Sequence, residues 1–104
     1  AGDAGALQRA LGESLSEPKA SVIFEPSDQR LCGAIVLDRR TRMLYDTQHI
    51  YINGEAYRAA GRDFHLLKVL ADRRSLTARD TPRFSAQAHE LVQEWLESGW
   101  LHTR

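Results

Sequence analysis

An α+β fold is predicted for this chain, and three observations predict it. Asn53-Gly54 stands between two strand-like runs, His49-Ile50-Tyr51-Ile52 and Glu55-Ala56-Tyr57-Arg58. A two-residue type I′ turn needs φ > 0 at both central positions, which Asn-Gly supplies. Upstream, Ile35-Val36-Leu37-Asp38 and Arg42-Met43-Leu44-Tyr45-Asp46 flank Arg39-Arg40-Thr41 and read as another hairpin. Downstream, Ala88, Leu91, Val92, Trp95 and Leu96 recur at i, i+3, i+4, i+7 and i+8, the spacing of a buried helix face.

The remaining elements follow in order. Leu7, Ala10, Leu11 and Leu15 give residues 6–15 helical spacing. Gly12 weakens that helix, and helices this short are marginal alone, so it is expected to pack on something. Ser16-Glu17-Pro18-Lys19 breaks it. Val22-Ile23-Phe24 before Glu25-Pro26 is extended, because residues preceding proline avoid the α region. Ser27-Asp28-Gln29-Arg30 is loop. After the hairpins, Asp63 is the expected N-cap of a helix whose stripe is Phe64, Leu67, Leu70 and Ala71, with Leu66 beside it. Arg73 and Arg74 suit its C-terminus. Ser75–Ala78 is a short strand, Thr81-Pro82 an N-cap followed by proline, and Ser85 the cap of the final helix. Gly99 takes the C′ position, and Trp100-Leu101-His102 leaves as a strand. Trp95, Leu91, Leu67, Phe64 and Ile50 are expected to be buried together. Hairpins, helix, strand, helix and strand make a winged-helix-like domain over 31–104. A short helix and extended linker over 1–30 precede it.

Composition narrows the function classes. The chain has 104 residues, enough for one domain that buries roughly 65% of its unfolded surface without disulfides. Fourteen Lys and Arg balance fourteen Asp and Glu, which argues against a dedicated nucleic-acid binder. The single cysteine, Cys32, has no internal partner and points to a reducing cytoplasm. No His is paired with it, so a small strand-edge hydrophobe is its expected role. No run approaches the roughly 20 apolar residues of a membrane span. Ala1–Gly5 has neither a basic nor an apolar stretch, so no signal peptide is expected. The missing initiator Met points to a piece of a longer protein.

Chemistry-bearing constellations are absent from the sequence. His49, His65, His89 and His102 show no metal-ligand spacing, so no metal, cofactor or catalytic residue is expected in this chain. Asp38, Asp46, Asp63, Asp72 and Asp80 are scattered, and turn or cap roles account for Asp38 and Asp63. The better candidates are basic. Arg39, Arg40 and Arg42 lie at a hairpin tip, and Arg73 and Arg74 belong to a second group with Arg79 and Arg83. A projecting basic tip can meet phosphate, meet an acidic protein surface, or be solvated, and all three readings stay open. Against DNA reading, the outer face of the last helix carries Gln87, Glu90, Gln93, Glu94 and Glu97, whose carboxylates would repel phosphate.

Several stretches carry a family resemblance. They are Leu11-Gly12-x-x-Leu15-Ser16-Glu17-Pro18-Lys19, Val22-x-Phe24-x-Pro26, Leu37-Asp38-Arg39-Arg40-x-Arg42-Met43-Leu44-Tyr45-Asp46 and Tyr51-Ile52-Asn53-Gly54-Glu55. Together with Ala71-Asp72-Arg73-Arg74 and Trp95-Leu96-x-x-Gly99-Trp100-Leu101, they resemble the C-terminal part of bacterial cupin-like JmjC proteins. Those are ribosomal oxygenases, 2-oxoglutarate- and Fe(II)-dependent hydroxylases of a ribosomal protein. The resemblance implies that residues 1–15 end a helical dimerisation region and residues 31–104 form a C-terminal winged helix. It implies a non-catalytic accessory role: supporting the dimer or presenting the protein substrate. Fe(II) and 2-oxoglutarate would belong to the parent, since the family's His-x-Asp has no counterpart here. The implied partners are the rest of the parent hydroxylase, a second copy, and a ribosomal protein. Two alternatives are a free-standing winged-helix nucleic-acid binder and a free-standing protein-interaction module.

Overall fold

The computed structural model describes residues 3–19 and 22–104; Ala1, Gly2, Ala20 and Ser21, which fall in the expected 1–30 segment, lie outside the described residues. The elements are α1 (Asp3–Ser16), β1 (Ile35–Leu37), β2 (Met43–Tyr45), β3 (His49–Ile52), β4 (Glu55–Arg58), α2 (Gly61–Arg73), β5 (Ser75–Leu76), a 3₁₀ turn (Thr81–Arg83), α3 (Ala86–Glu97) and β6 (Leu101–Thr103).

They form two small antiparallel sheets. One is the meander β2-β3-β4, the other has the order β5-β1-β6. Asn53 (φ 47°) and Gly54 (φ 89°) turn β3 into β4, as their sequence requires. The expected hairpin of β1 with β2 does not form. β1 is the apolar run Ile35-Val36-Leu37, and both its edges are taken, by β5 (Ile35↔Leu76) and by β6 (Ile35↔Thr103). A short all-apolar strand is most stable in the middle of a sheet. At Asp38 the chain turns out of this sheet, closing Thr41 N–H on the Asp38 carbonyl at 2.9 Å, and β2 pairs with β3 instead.

One core joins the two sheets to α2 and α3. Ile35, Ile50, Ile52, Leu66, Leu67, Leu70, Val92, Trp95, Leu96 and Leu101 are at most 1% exposed. Phe64 and Leu91, expected at its centre, are only partly buried against it; Leu66 takes the deeper place on α2. Tyr57 meets Trp95 edge-on, with ring centroids 5.5 Å apart.

The helix ends show where local rules held. Ser85 caps α3 by accepting from Ala88 N–H at 3.2 Å. α3 closes in a Schellman motif, with Gly99 N–H on Leu96 O and Trp100 N–H on Trp95 O, both at 3.0 Å. Asp63 is not the cap of α2, which starts at Gly61 after Ala60. Its carboxylate accepts from Ser85 N–H (2.9 Å) and Ser85 Oγ–H (2.6 Å), tying the first turn of α2 to the first turn of α3. Thr81 likewise does not cap. It is buried within the 3₁₀ turn, where its hydroxyl donates to the Gly33 carbonyl at 2.8 Å.

α1 lies on the opposite face of the meander. Strand side chains alternate between faces, so Ile50 and Ile52 enter the core while Tyr51 points the other way. Tyr51 is nonetheless 1% exposed, because α1 covers it with Gly12. Ser16 Oγ accepts from Gly54 N–H at 3.0 Å, joining the end of α1 to the β3–β4 turn. The helix therefore docks by its small residues, and Leu7, Leu11 and Leu15 stay 72%, 57% and 58% exposed.

Candidate functional site

The Asp38–Thr41 turn organises the surface that carries the candidate arginines. Asp38 is buried, and its carboxylate accepts from Arg40 N–H (2.9 Å) and Arg40 Nε–H (3.0 Å) and contacts His102 Nε2 at 2.7 Å. The Arg40 guanidinium holds this carboxyl well below the usual carboxylate range; burial opposes it, and His102 adds to it. Arg40 continues outward. It donates to the Ile23 carbonyl at 3.1 Å and lies over the Phe24 ring, which meets Trp100 edge-on. Arg74, in left-handed backbone at the end of α2 (φ 61°), sends one guanidinium nitrogen to the carbonyls of Asp38 and Thr41, both at 2.9 Å. The linker, the turn and the end of α2 are thus fastened together by two of the five candidate arginines.

Beside this turn runs a groove of about 510 Å³. Among the described residues, five cations line it, Lys19, Arg39, Arg40, Arg42 and Arg74, and no carboxylate does. Leu15, Val22, Met43 and Leu44 supply its apolar walls. The groove therefore unites four of the five candidates, while Arg73 stays outside its lining. Arg39 and Arg42 are exposed and, among the described residues, make no ion pair within 4.0 Å. Of the second basic group, Arg83 pairs with Asp80 at 3.8 Å. Sequence reasoning overlooked Lys19 and Leu15 as groove residues. The only signal was their nearness to a helix end, which says nothing of the turn they would face.

α3 is placed differently from a free recognition helix. Glu90, Glu94 and Glu97 are exposed, as expected. Gln93, expected on the same outer face, instead clamps the linker. It accepts from Leu31 N–H at 2.8 Å and donates to the Gln29 carbonyl at 2.9 Å. Ser27 N–H bonds the Glu97 carbonyl at 2.8 Å, and a side chain at Gly99 (φ 80°) would collide with the Glu25 carbonyl. Residues 25–31 therefore lie against the C-terminal half of α3 on its Gln93 side, while Gln87, Glu90 and Glu94 stay exposed.

The histidines are spread over the fold. His49 sits 3.6 Å from Asp46, His102 contacts Asp38, and His65 and His89 are exposed. Among the described residues no three His, Cys, Asp or Glu side chains come together as a metal site. These residues do not fit an Fe(II) centre. Cys32 is exposed. Among the described residues no helix is long and apolar enough to cross a membrane.

Residues 3–102 match the family of the ROXA-like winged helix. The chain belongs to that family. Solved structures share the fold of this ROXA-like winged helix. An X-ray structure of Escherichia coli YcfD superposes with a TM-score of 0.78 at 18% identity, covering 94% of this chain and 29% of that one. YcfD described as a ribosomal oxygenase in complex with cobalt and 2-oxoglutarate gives 0.77 at 18% identity, covering 97% and 31%. The ROXA-like winged helix thus spans less than a third of those solved chains. No curated protein sequence matches it. The winged-helix-like α+β expectation and the family resemblance both hold. The helix expected over 6–15, the Asn53-Gly54 hairpin and the α2–β5–α3–β6 succession are all present.

Proposed function

We propose that this ROXA-like winged helix is the non-catalytic accessory domain of a JmjC/cupin-type hydroxylase that uses Fe(II) and 2-oxoglutarate on a ribosomal protein. In this reading residues 1–30 end a helical dimerisation region and residues 31–104 are the C-terminal domain. The domain supports the dimer or presents the protein substrate. Metal and co-substrate belong to the rest of the parent, which works in the cytoplasm.

The observation that carries the reading is the family match across residues 3–102. The YcfD structures support it: that protein is a ribosomal oxygenase, and this fold corresponds to less than a third of it. A second reading, a free-standing interaction module, is favoured by the basic groove beside the Asp38–Thr41 turn.

Anaerobic calorimetry tests the proposal. Fe(II) with 2-oxoglutarate should give no binding heat with this chain and a stoichiometric isotherm with the longer protein. A micromolar, one-to-one isotherm from this chain would place the iron chemistry here and overturn the accessory role.

A further inference from the structure

We propose that the basic groove is a docking site for an acidic, leucine-bearing helical segment of a partner protein. The inference goes beyond the accessory reading and rests on the groove and on the exposed leucines of α1 beside it.

Charge is the first argument. Among the described residues, five cations and no carboxylate line one groove of a chain whose net charge is zero. Two of the five are fixed. Arg40 is held by Asp38 and the Ile23 carbonyl, Arg74 by the carbonyls of Asp38 and Thr41. Little side-chain entropy is left to lose when an anion arrives at those two. Arg39 and Arg42 project beside them with no ionic partner among the described residues.

The apolar surface is the second argument, and it decides the kind of partner. Leu15 stands in the groove wall, and Leu11 and Leu7 continue it at i−4 and i−8 along α1. Among the described residues, the large hydrophobics left exposed are Leu7, Leu11, Leu15, Ile23 and Tyr45, and the first four belong to α1 and the linker. The cause is the docking of α1 by Gly12 and Ser16, which turns its leucines outward. Phosphate backbone would use the arginines and leave this stripe in water. An amphipathic helix with leucines on one side and Asp or Glu flanking them covers both. α3 of a second copy does not match that description. It supplies Glu90, Glu94 and Glu97, but its own Leu96 is buried in the core.

The test uses the whole chain and three fluorescent probes at physiological salt: a synthetic acidic amphipathic helix of about 15 residues, its scrambled counterpart, and a single-stranded RNA oligonucleotide. The amphipathic peptide should bind at least roughly tenfold tighter than either other probe. Arg39→Glu with Arg42→Glu should weaken it roughly tenfold or more at an unchanged denaturation midpoint, since both side chains are exposed. Leu15→Asn should weaken it about threefold to tenfold. Lys19→Glu offers the same charge reversal away from the turn. Equal binding of the scrambled peptide, tighter binding of the RNA, or indifference to both the arginine and the leucine substitutions would each overturn the proposal.

Discussion

Gly12 of α1 rests on the aromatic face of Tyr51 in β3, so close that a β-carbon there would overlap the ring. Tyr51 cannot swing aside freely, because its hydroxyl bonds the Asp46 carboxylate. Burial and that carboxylate push its phenol up to about 12. The contact decides which way α1 faces. A helix that meets the sheet through glycine and serine leaves its leucines for something else.

Substituting Gly12 should therefore go against helix propensity. On propensity alone Gly12→Ala would gain up to ~1 kcal/mol. Here Gly12→Leu should cost about 1–3 kcal/mol through overpacking. It should also loosen α1, read as faster amide exchange over residues 5–16 in hydrogen-exchange measurements. A variant more stable than wild type, with α1 still protected, would show that the ring contact does not position the helix.

The core prediction is larger. Trp95 is 1% exposed and packs on Tyr57. Trp95→Ala should cost roughly 3–5 kcal/mol, a large share of the ~5–15 kcal/mol typical of a domain. An unchanged urea midpoint would refute the assignment of that helix face to the core.

How far the sequence carried depends on whether the cause was local. The Asn53-Gly54 turn, the Ser85 cap and the Gly99 C′ all rest on a few adjacent residues and were legible. The partner of β1 was not. Arg39-Arg40-Thr41 looks like a hairpin tip, yet Asp38 draws in Arg40 and His102, the latter 64 positions away, and both edges of β1 go to β5 and β6. Gly12 read as a weakness of α1 because the ring it faces lies beyond its local sequence. The fold gathers four of the five candidate arginines beside one groove and leaves Arg73 outside it. Nothing local showed that Arg40 and Arg74 are clasps while Arg39 and Arg42 are exposed.

Asp38 gives a pH prediction with a definite sign. Its folded carboxyl is held below the unfolded value of ~3.9. Its stabilising contribution is therefore fully present above about pH 4 and is lost as pH falls toward the folded value. Stability of the wild type should drop on acidification below about pH 4, and Asp38→Asn should be less stable at neutral pH with a shallower acid dependence. Urea midpoints collected from pH 7 down to about 2 check this. Parallel curves for the two proteins would mean that Asp38 does not carry the linkage.

Duplex DNA should bind weakly or not at all at physiological salt. The carboxylates of Glu90, Glu94 and Glu97, exposed on α3, oppose it by repelling phosphate. Whatever affinity remains at low salt should depend on Arg39 and Arg42 and fall steeply as salt rises. Gel-shift titrations over a salt series decide it. Sequence-specific binding lost on substituting Glu90 or Glu94 would show that α3 reads bases.

α1 should be separable from the rest. Deleting residues 1–15 should leave residues 31–104 folded, with the Asn53-Gly54 hairpin intact in amide-exchange and NMR spectra, at a modest cost from baring Tyr51. A spectrum without dispersed amides would mean that α1 completes the core.

The accessory role stands or falls on what the domain does for its parent. The direct measurement is to remove residues 31–104 from the longer protein and compare iron and 2-oxoglutarate binding with turnover of the protein substrate. The account predicts that both ligands bind with unchanged affinity while turnover falls at least roughly tenfold, which is about 1.4 kcal/mol of lost transition-state stabilisation. Wild-type turnover by the truncated enzyme would contradict it.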